Sequence, residues 1–389
     1  MSDALDDLQE SLVYKMSLGS RELFHSNIWA WLIDKDKNFA KCFFDDIDVN
    51  QIILVRREEK NRDISIHLKD GKVYIIENKL KSIPTIEQLK KYADNEPNFK
   101  EGLLTGLLKP SILDKLKSIQ WKFKTYREIG ESIKKYLDQS NENTFKENTK
   151  NILNQYCTDL KNLNEIISLK QAEFNKVGLI NDKDKNKLDS LGLVDLMNKL
   201  NADKFIKYFS EKLKEDKNVA NQLFFNLSDT EQFKVYSSFS NKQNIIDFRF
   251  YNCYFGKLED KDNKHFLIGI QIEGNQYRRC AEIQDKQIND CESVFEEFKK
   301  DFFDEHFKPN GKKEIEFLCN GKFYKYTTSQ TKIFCKYQGT YKFVYQYFNL
   351  DSLGDNSYDT VYELLIKDLL HIRKIFDRKR KEYKYYDFR

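Results

Sequence analysis

A chain of 389 residues is too long for one ordinary hydrophobic core, so two or three domains are expected. With 40% hydrophobic and 33% charged residues it reads as a globular protein, and no run approaches the roughly 20 apolar residues that a membrane-spanning helix needs. Lys and Arg number 66 against 62 acids, a net charge of +4, so affinity for nucleic acid has to come from local patches and not from a global field.

The N-terminal stretch MSDALDDLQESL is acidic and polar, unlike a secretory signal. Seven cysteines (Cys42, Cys157, Cys253, Cys280, Cys291, Cys319 and Cys335) are scattered without a Cys-x-x-Cys pair. This argues against a structural zinc site and for reduced thiols, so a cytoplasmic location is expected.

In chain order, LGSRELFHSNIWAWLID (18–34) predicts a helix, with Ser20 as its cap and Leu23, Phe24, Ile28, Trp31 and Leu32 on one face. QIILVRREE (51–59), RDISIHL (62–68) and KVYIIENKL (72–80) predict three strands, the last two joined by KDG. IPTIEQLKKYAD (83–94) predicts a helix with Pro84 in its first turn. A less regular stretch with Pro97, Gly102, Gly106 and Pro110 follows, then a strand at 119–126 and a helix at 127–139. The expected order is α-β-β-β-α-β-α.

Residues 141–240 are rich in Asn and Lys and carry helical periodicity at 152–169 and 193–213. From residue 241 an α+β domain is expected, with strands at 245–256, 265–274, 276–283, 322–338 and 341–348. Helices are expected there at 290–307 and 359–376. The segment RKIFDRKRKEYKYYDFR (373–389) sets eight Lys and Arg against three acids; it reads either as a phosphate-contacting tail or as the solvated end of a long helix.

The KDG loop decides where the charges of the hairpin go. A three-residue loop ending in Gly71 makes Leu68 face Lys72, so facing residue numbers sum to 140. Asp63 then lies opposite Glu77, and Lys79 shares their side of the sheet. A two-residue loop on Asp70-Gly71 would instead pair Asp63 with Asn78 and send Glu77 to the other face.

Two carboxylates this close repel, and a divalent cation is the usual relief; their oxygens suit Mg²⁺, with Mn²⁺ as a substitute. A lysine beside them can orient or deprotonate a water, or stabilise charge on a phosphate. The plainer reading is a solvated strand end. Two neighbours add to the pattern. Gln88 and Tyr92 lie four apart on one face of the next helix, and Glu22 precedes His25 and Ser26 on the first helix. Their plain readings are a wet helix face and a first-turn glutamate favoured by the helix dipole.

Asp63, then Glu77-Asn78-Lys79, then Gln88-x-x-x-Tyr92, in the order helix, three strands, helix, strand, resembles the PD-(D/E)XK nuclease superfamily. The Gln-x-x-x-Tyr element is similar to its RecB-like branch. RELFHSNIWAWLID resembles the first-helix pattern E…HS…LAWLLD of one bacterial family in that superfamily. Arg62 stands where the motif's proline would be, and the match covers about residues 15–140.

The resemblance implies a restriction-endonuclease-like α-β-β-β-α-β core with a mixed sheet. In it Asp63 and Glu77 bind Mg²⁺, Lys79 positions or activates the water, Glu22 adds an acid to the metal site, and Gln88 and Tyr92 sit at its edge. The expected organisation is a nuclease-like core at 1–140, a helical region at 141–240 and a domain at 241–389 that recognises substrate or partner. Nucleic acid, DNA before RNA, is the expected partner. A homo-oligomer or a partner protein of a bacterial defence system is also in view, and a membrane is not. The competing expectation keeps the fold without the reaction, as a nucleic-acid-binding or protein-interaction module; a purely structural protein comes third.

Overall fold

The computed structural model describes residues 2–17, 21–80, 86–107, 113–139, 145–179, 184–224, 232–240, 243–253, 266–284, 314–319, 322–327, 332–335 and 341–382. The chain divides into two compact units, Met1–Glu173 with Asn181–Met197, and Phe174–Ile180 with Asn198–Arg389. The helical segment 141–240 is therefore shared between the two units.

The first unit opens with helices α1 (Ser2–Glu10), α2 (Leu12–Ser17) and α3 (Arg21–Lys35). Strands β1 (Ile52–Arg57), β2 (Ile64–Leu68) and β3 (Val73–Lys79) follow. Helix α4 (Ile86–Asp94) leads to β4 (Phe99–Gly106), and the short α5 (Leu113–Leu116) precedes β5 (Trp121–Thr125). Helices α6 (Tyr126–Gln139), α7 (Glu147–Glu173) and α8 (Lys185–Ser190) complete the unit. The strands lie side by side in chain order. β1, β2 and β3 pair antiparallel, while β3, β4 and β5 pair parallel, so the sheet is mixed.

β4 falls in the stretch expected to be irregular. Its two glycines hide it from a propensity reading, yet packing demands one of them. A Cβ on Gly102 would lie 2.3 Å from Cδ2 of the Trp121 indole on the neighbouring strand. Leu103 and Leu104 are buried on opposite faces, as a parallel strand covered on both sides requires.

β3 sorts its residues by parity. Val73 and Ile75 join Leu89, Leu104, Leu116 and Trp121 in one apolar cluster beneath α4. Leu89 pins that helix to the sheet; full burial of such a side chain is worth about 1.5–3 kcal/mol. Tyr74, by contrast, meets Phe44, its ring centroid 4.9 Å away. The polar residues that end the strand inherit these two faces. α6 begins with a capping box: Thr125 Oγ1 accepts the Glu128 N–H (3.1 Å) and Glu128 Oε2 accepts the Thr125 N–H (2.6 Å).

The second unit contains most of α9 (Val194–Glu215) and all of α10 (Lys217–Phe224). Strands β6 (Gln232–Ser240), β7 (Gln243–Cys253), β8 (Phe266–Glu273), β9 (Gln276–Gln284), β12 (Lys332–Cys335) and β13 (Tyr341–Asn349) form an antiparallel sheet ordered β12-β13-β9-β8-β7-β6. β10 (Glu314–Cys319) and β11 (Lys322–Thr327) form a separate hairpin, and a helix at Tyr358–Glu382 closes the described chain. Phe209 packs on both Phe248 of the sheet and Tyr362 of that helix.

Residues 232–240, expected as helix, form a strand. The half-buried Phe233, Val235 and Ser237 alternate with the exposed Lys234, Tyr236 and Ser238, a period of two that the adjoining helical pattern obscured. The single strand expected at 322–338 is two, and β10 adds one more. The expected helix at 290–307, Ser20, residues 83–85 and the end of the basic tail, 383–389, lie outside the described residues. Among the described residues no helix is long and apolar enough to cross a membrane.

Candidate active site

The β2–β3 hairpin turns on three residues. Gly71 takes a left-handed φ of +84°, its N–H reaches Leu68 O (3.0 Å), and the Leu68 N–H reaches Lys72 O (2.9 Å). Ile64 faces Ile76 and His67 faces Val73, so the register sums to 140. Asp63 therefore enters the hairpin opposite Glu77, and its Oδ2 accepts the Asn78 N–H at 2.6 Å.

Glu77 points to the α4 side, the polar continuation of the Val73–Ile75 face. Three donors crowd one of its oxygens. Oε1 takes Lys79 Nζ at 2.6 Å, Gln88 Nε2 at 3.1 Å and the Tyr92 hydroxyl at 3.4 Å. Gln88 also donates to the Tyr92 hydroxyl (2.8 Å), so the two helix residues act on Glu77 as a linked pair. Oε2 of Glu77 is buried and makes no hydrogen bond. Gln88 and Tyr92, expected at the edge of the site, are directed at this carboxylate. The Asp63, Glu77, Lys79, Gln88 and Tyr92 side chains are thus gathered around one strand end.

Asn78 points the other way and is wholly buried. Its amide donates to Glu22 O (2.8 Å) and Ser26 Oγ (3.3 Å), and its Oδ1 accepts from Thr105 (3.1 Å) and from the Tyr126 hydroxyl. The amide ties β3 to α3, β4 and α6 at once. Ser26 also donates back to Glu22 O (2.9 Å), while His25 Nδ1 meets the Tyr156 hydroxyl of α7 (2.9 Å). His25 and Ser26 are thus fastenings of the first helix. Glu22 Oε1 accepts the Leu80 N–H at 3.0 Å, one residue beyond the strand. The motif assigns Asn78 no role; an amide on a strand face otherwise made of Tyr74 and Ile76 is the sequence signal that it needs partners.

The electrostatics follow from burial with too few cations. Burial, then the charge of Asp63, raises the Glu77 carboxyl from 4.5 to about 7, although Lys79 pulls it down. Burial also raises Asp63; the Asn78 N–H and Lys79 oppose it, and Glu22 and Glu58 add to it. For Lys79 burial disfavours the charge, but Glu77, Asp63 and Glu22 outweigh it and hold the ammonium above its ordinary value. As placed, Lys79 Nζ donates to Glu77 Oε1.

Hard carboxylate oxygens, an excess of negative charge and a buried oxygen without a partner are what a Mg²⁺ or Mn²⁺ ion would satisfy, so the residues present fit such an ion. Comparison with protein-family models, with curated proteins and with solved structures finds no match.

Proposed function

We propose that this chain is a Mg²⁺-dependent nuclease that hydrolyses phosphodiester bonds of nucleic acid, DNA first, with Mn²⁺ as a substitute. We read the mixed sheet and its helices as a restriction-endonuclease-like core, and residues 241–389 as the part that recognises substrate or partner. The observation that supports this reading best is Glu77: one oxygen is held by Lys79, Gln88 and Tyr92, and the other is buried without a hydrogen bond beside Asp63. Buried carboxylate oxygens are mostly hydrogen-bonded, so one left without a partner beside a second acid is a place for a cation. The preference for DNA rests on the resemblance alone.

Asp63 and Glu77 would hold the ion, which when bound offsets their repulsion and supplies Lewis-acid chemistry to phosphodiester hydrolysis. The protein's own groups do the rest. Lys79 Nζ donates to a water or a phosphate oxygen and stabilises negative charge growing there. Gln88 and Tyr92 fix the plane of the Glu77 carboxylate. Glu22, anchored on the Leu80 N–H, keeps a third acid near Asp63 and Lys79. Leu89 and its cluster exclude water from beneath the strand.

The test is incubation with plasmid, linear and single-stranded DNA and with RNA, in Mg²⁺ or Mn²⁺, beside Lys79→Ala. Cleavage that needs the ion and falls by about 10²–10³-fold in the variant supports the reading. Equal cleavage by the variant would mean contamination and would end the assignment. Salt-sensitive binding of every substrate without cleavage would favour the silent binding module.

A further inference from the structure

The connection that delivers Asp63 to the hairpin is held in an unusual backbone. Glu58, Lys60 and Asn61 all take left-handed φ values, 52°, 54° and 62°, a conformation that residues other than glycine adopt at a cost. Such a loop persists only where its surroundings over-determine it. Two clamps do so here. Glu59 is held by His67 Nε2 (2.8 Å) and Arg56 Nη1 (3.2 Å). Glu96, in the turn after α4, takes Lys60 Nζ (3.1 Å) and Arg62 Nη1 (2.7 Å) on the same oxygen.

Arg62 is the unusual member. Its side chain is wholly buried, and its second nitrogen, Nη2, donates to Tyr92 O at 3.1 Å. That carbonyl belongs to the last turn of α4, where a cation also suits the helix dipole. One guanidinium therefore joins the residue before Asp63 to the backbone of the residue that, with Gln88, holds Glu77. A buried ion pair is seldom better for stability than apolar side chains of the same volume. What the guanidinium adds is direction.

We propose that Arg62, locked by Glu96 and supported by Lys60, is the positioning residue of the candidate site. It sets the start of β2 against the end of α4, and so Asp63 against the Gln88–Tyr92 pair. This rests on the nuclease reading, because the geometry it protects is that of a cation site. Arg62 touches neither ion nor substrate in this scheme.

The full-length chain is compared with Arg62→Gln, Arg62→Lys and the isosteric Glu96→Gln. Two readouts are used, hydrogen–deuterium exchange by mass spectrometry and Mn²⁺ titration followed by electron paramagnetic resonance. In Arg62→Gln, exchange should quicken in 58–64 and 86–94 but not in β5. Mn²⁺ affinity should drop about 10-fold or more, the usual effect of removing a group that orients a ligand. Arg62→Lys should recover part of that loss, because an ammonium can keep one of the two bonds. Should Arg62→Gln not fold, Glu96→Gln carries the same expectation at smaller size. Faster exchange with unchanged Mn²⁺ affinity would make Arg62 a mere staple and overturn the proposal, as would unchanged exchange in both segments. A wild-type chain whose Mn²⁺ binding is indifferent to Asp63→Asn is a different result: it sinks the nuclease reading and takes this proposal with it.

Discussion

Each unit buries a cluster of charges, and the two clusters are built on opposite terms. In the second unit Arg249 bridges Asp247 (2.6 Å) and Glu282 (2.7 Å), and Arg279 grips Asp368 through Nε (2.8 Å) and a second nitrogen. The Tyr277 hydroxyl completes Asp368 at 3.0 Å. Each of these carboxylates is in direct contact with a guanidinium, Asp247 and Glu282 sharing that of Arg249. In the first unit Asp63 and Glu77 share a single lysine, with Glu22 close enough to raise Asp63 further. A carboxylate in contact with a guanidinium is served within the fold. Asp63 makes no ion pair within 4 Å among the described residues, and that leaves a place for a cation from outside.

The sharpest way to test that contrast is to remove one charge from each cluster. Asp368→Leu takes the carboxylate from a buried arginine and should cost about 3–5 kcal/mol, read as a lowered urea midpoint. A loss under about 1 kcal/mol would mean that Arg279 does not depend on Asp368 as described. Next in size is the ion itself. Mg²⁺ at about 100 times its dissociation constant should stabilise the wild type by about 2.7 kcal/mol in thermal unfolding, and Asp63→Asn should abolish that gain.

Glu77→Gln should do the reverse of Asp368→Leu. Folding raises the Glu77 carboxyl from 4.5 to about 7, so its ionisation penalises the fold fully above pH 7 and not at all below 4.5. Without Mg²⁺, the variant should be more stable than wild type by about 1–2 kcal/mol at pH 8, the gain shrinking as pH falls toward 4.5. Destabilisation at pH 8 would place Glu77 among structural carboxylates. A smaller effect is expected of Gln88→Leu, which frees the Glu77 plane and should weaken Mn²⁺ binding by about 10-fold. Tyr92→Phe should do less, since its bond at 3.4 Å is the longest of the three.

Much of the site was legible because it is local. One glycine after Lys69-Asp70 sets the hairpin loop, and period-two alternation then carries Asp63, Glu77 and Lys79 to one side without any long-range information. Strand β4 was not legible, since Gly102 weakens the local signal for a reason, the Trp121 ring, that only packing reveals. The partners of Asn78, His25 and Arg62 were equally hidden. Tyr156 lies 131 residues from His25, and Glu96 lies 34 from Arg62, so nothing within one element announces either bond. Polar side chains whose partners sit on other elements are where single-sequence reading stops.

The most direct measurement of the central claim is anomalous diffraction from crystals of the full-length chain soaked in Mn²⁺. The account predicts a peak between Asp63 and Oε2 of Glu77, absent from Asp63→Asn crystals. Full soaking with no peak there, and Lys79 still closed on Glu77, would contradict it.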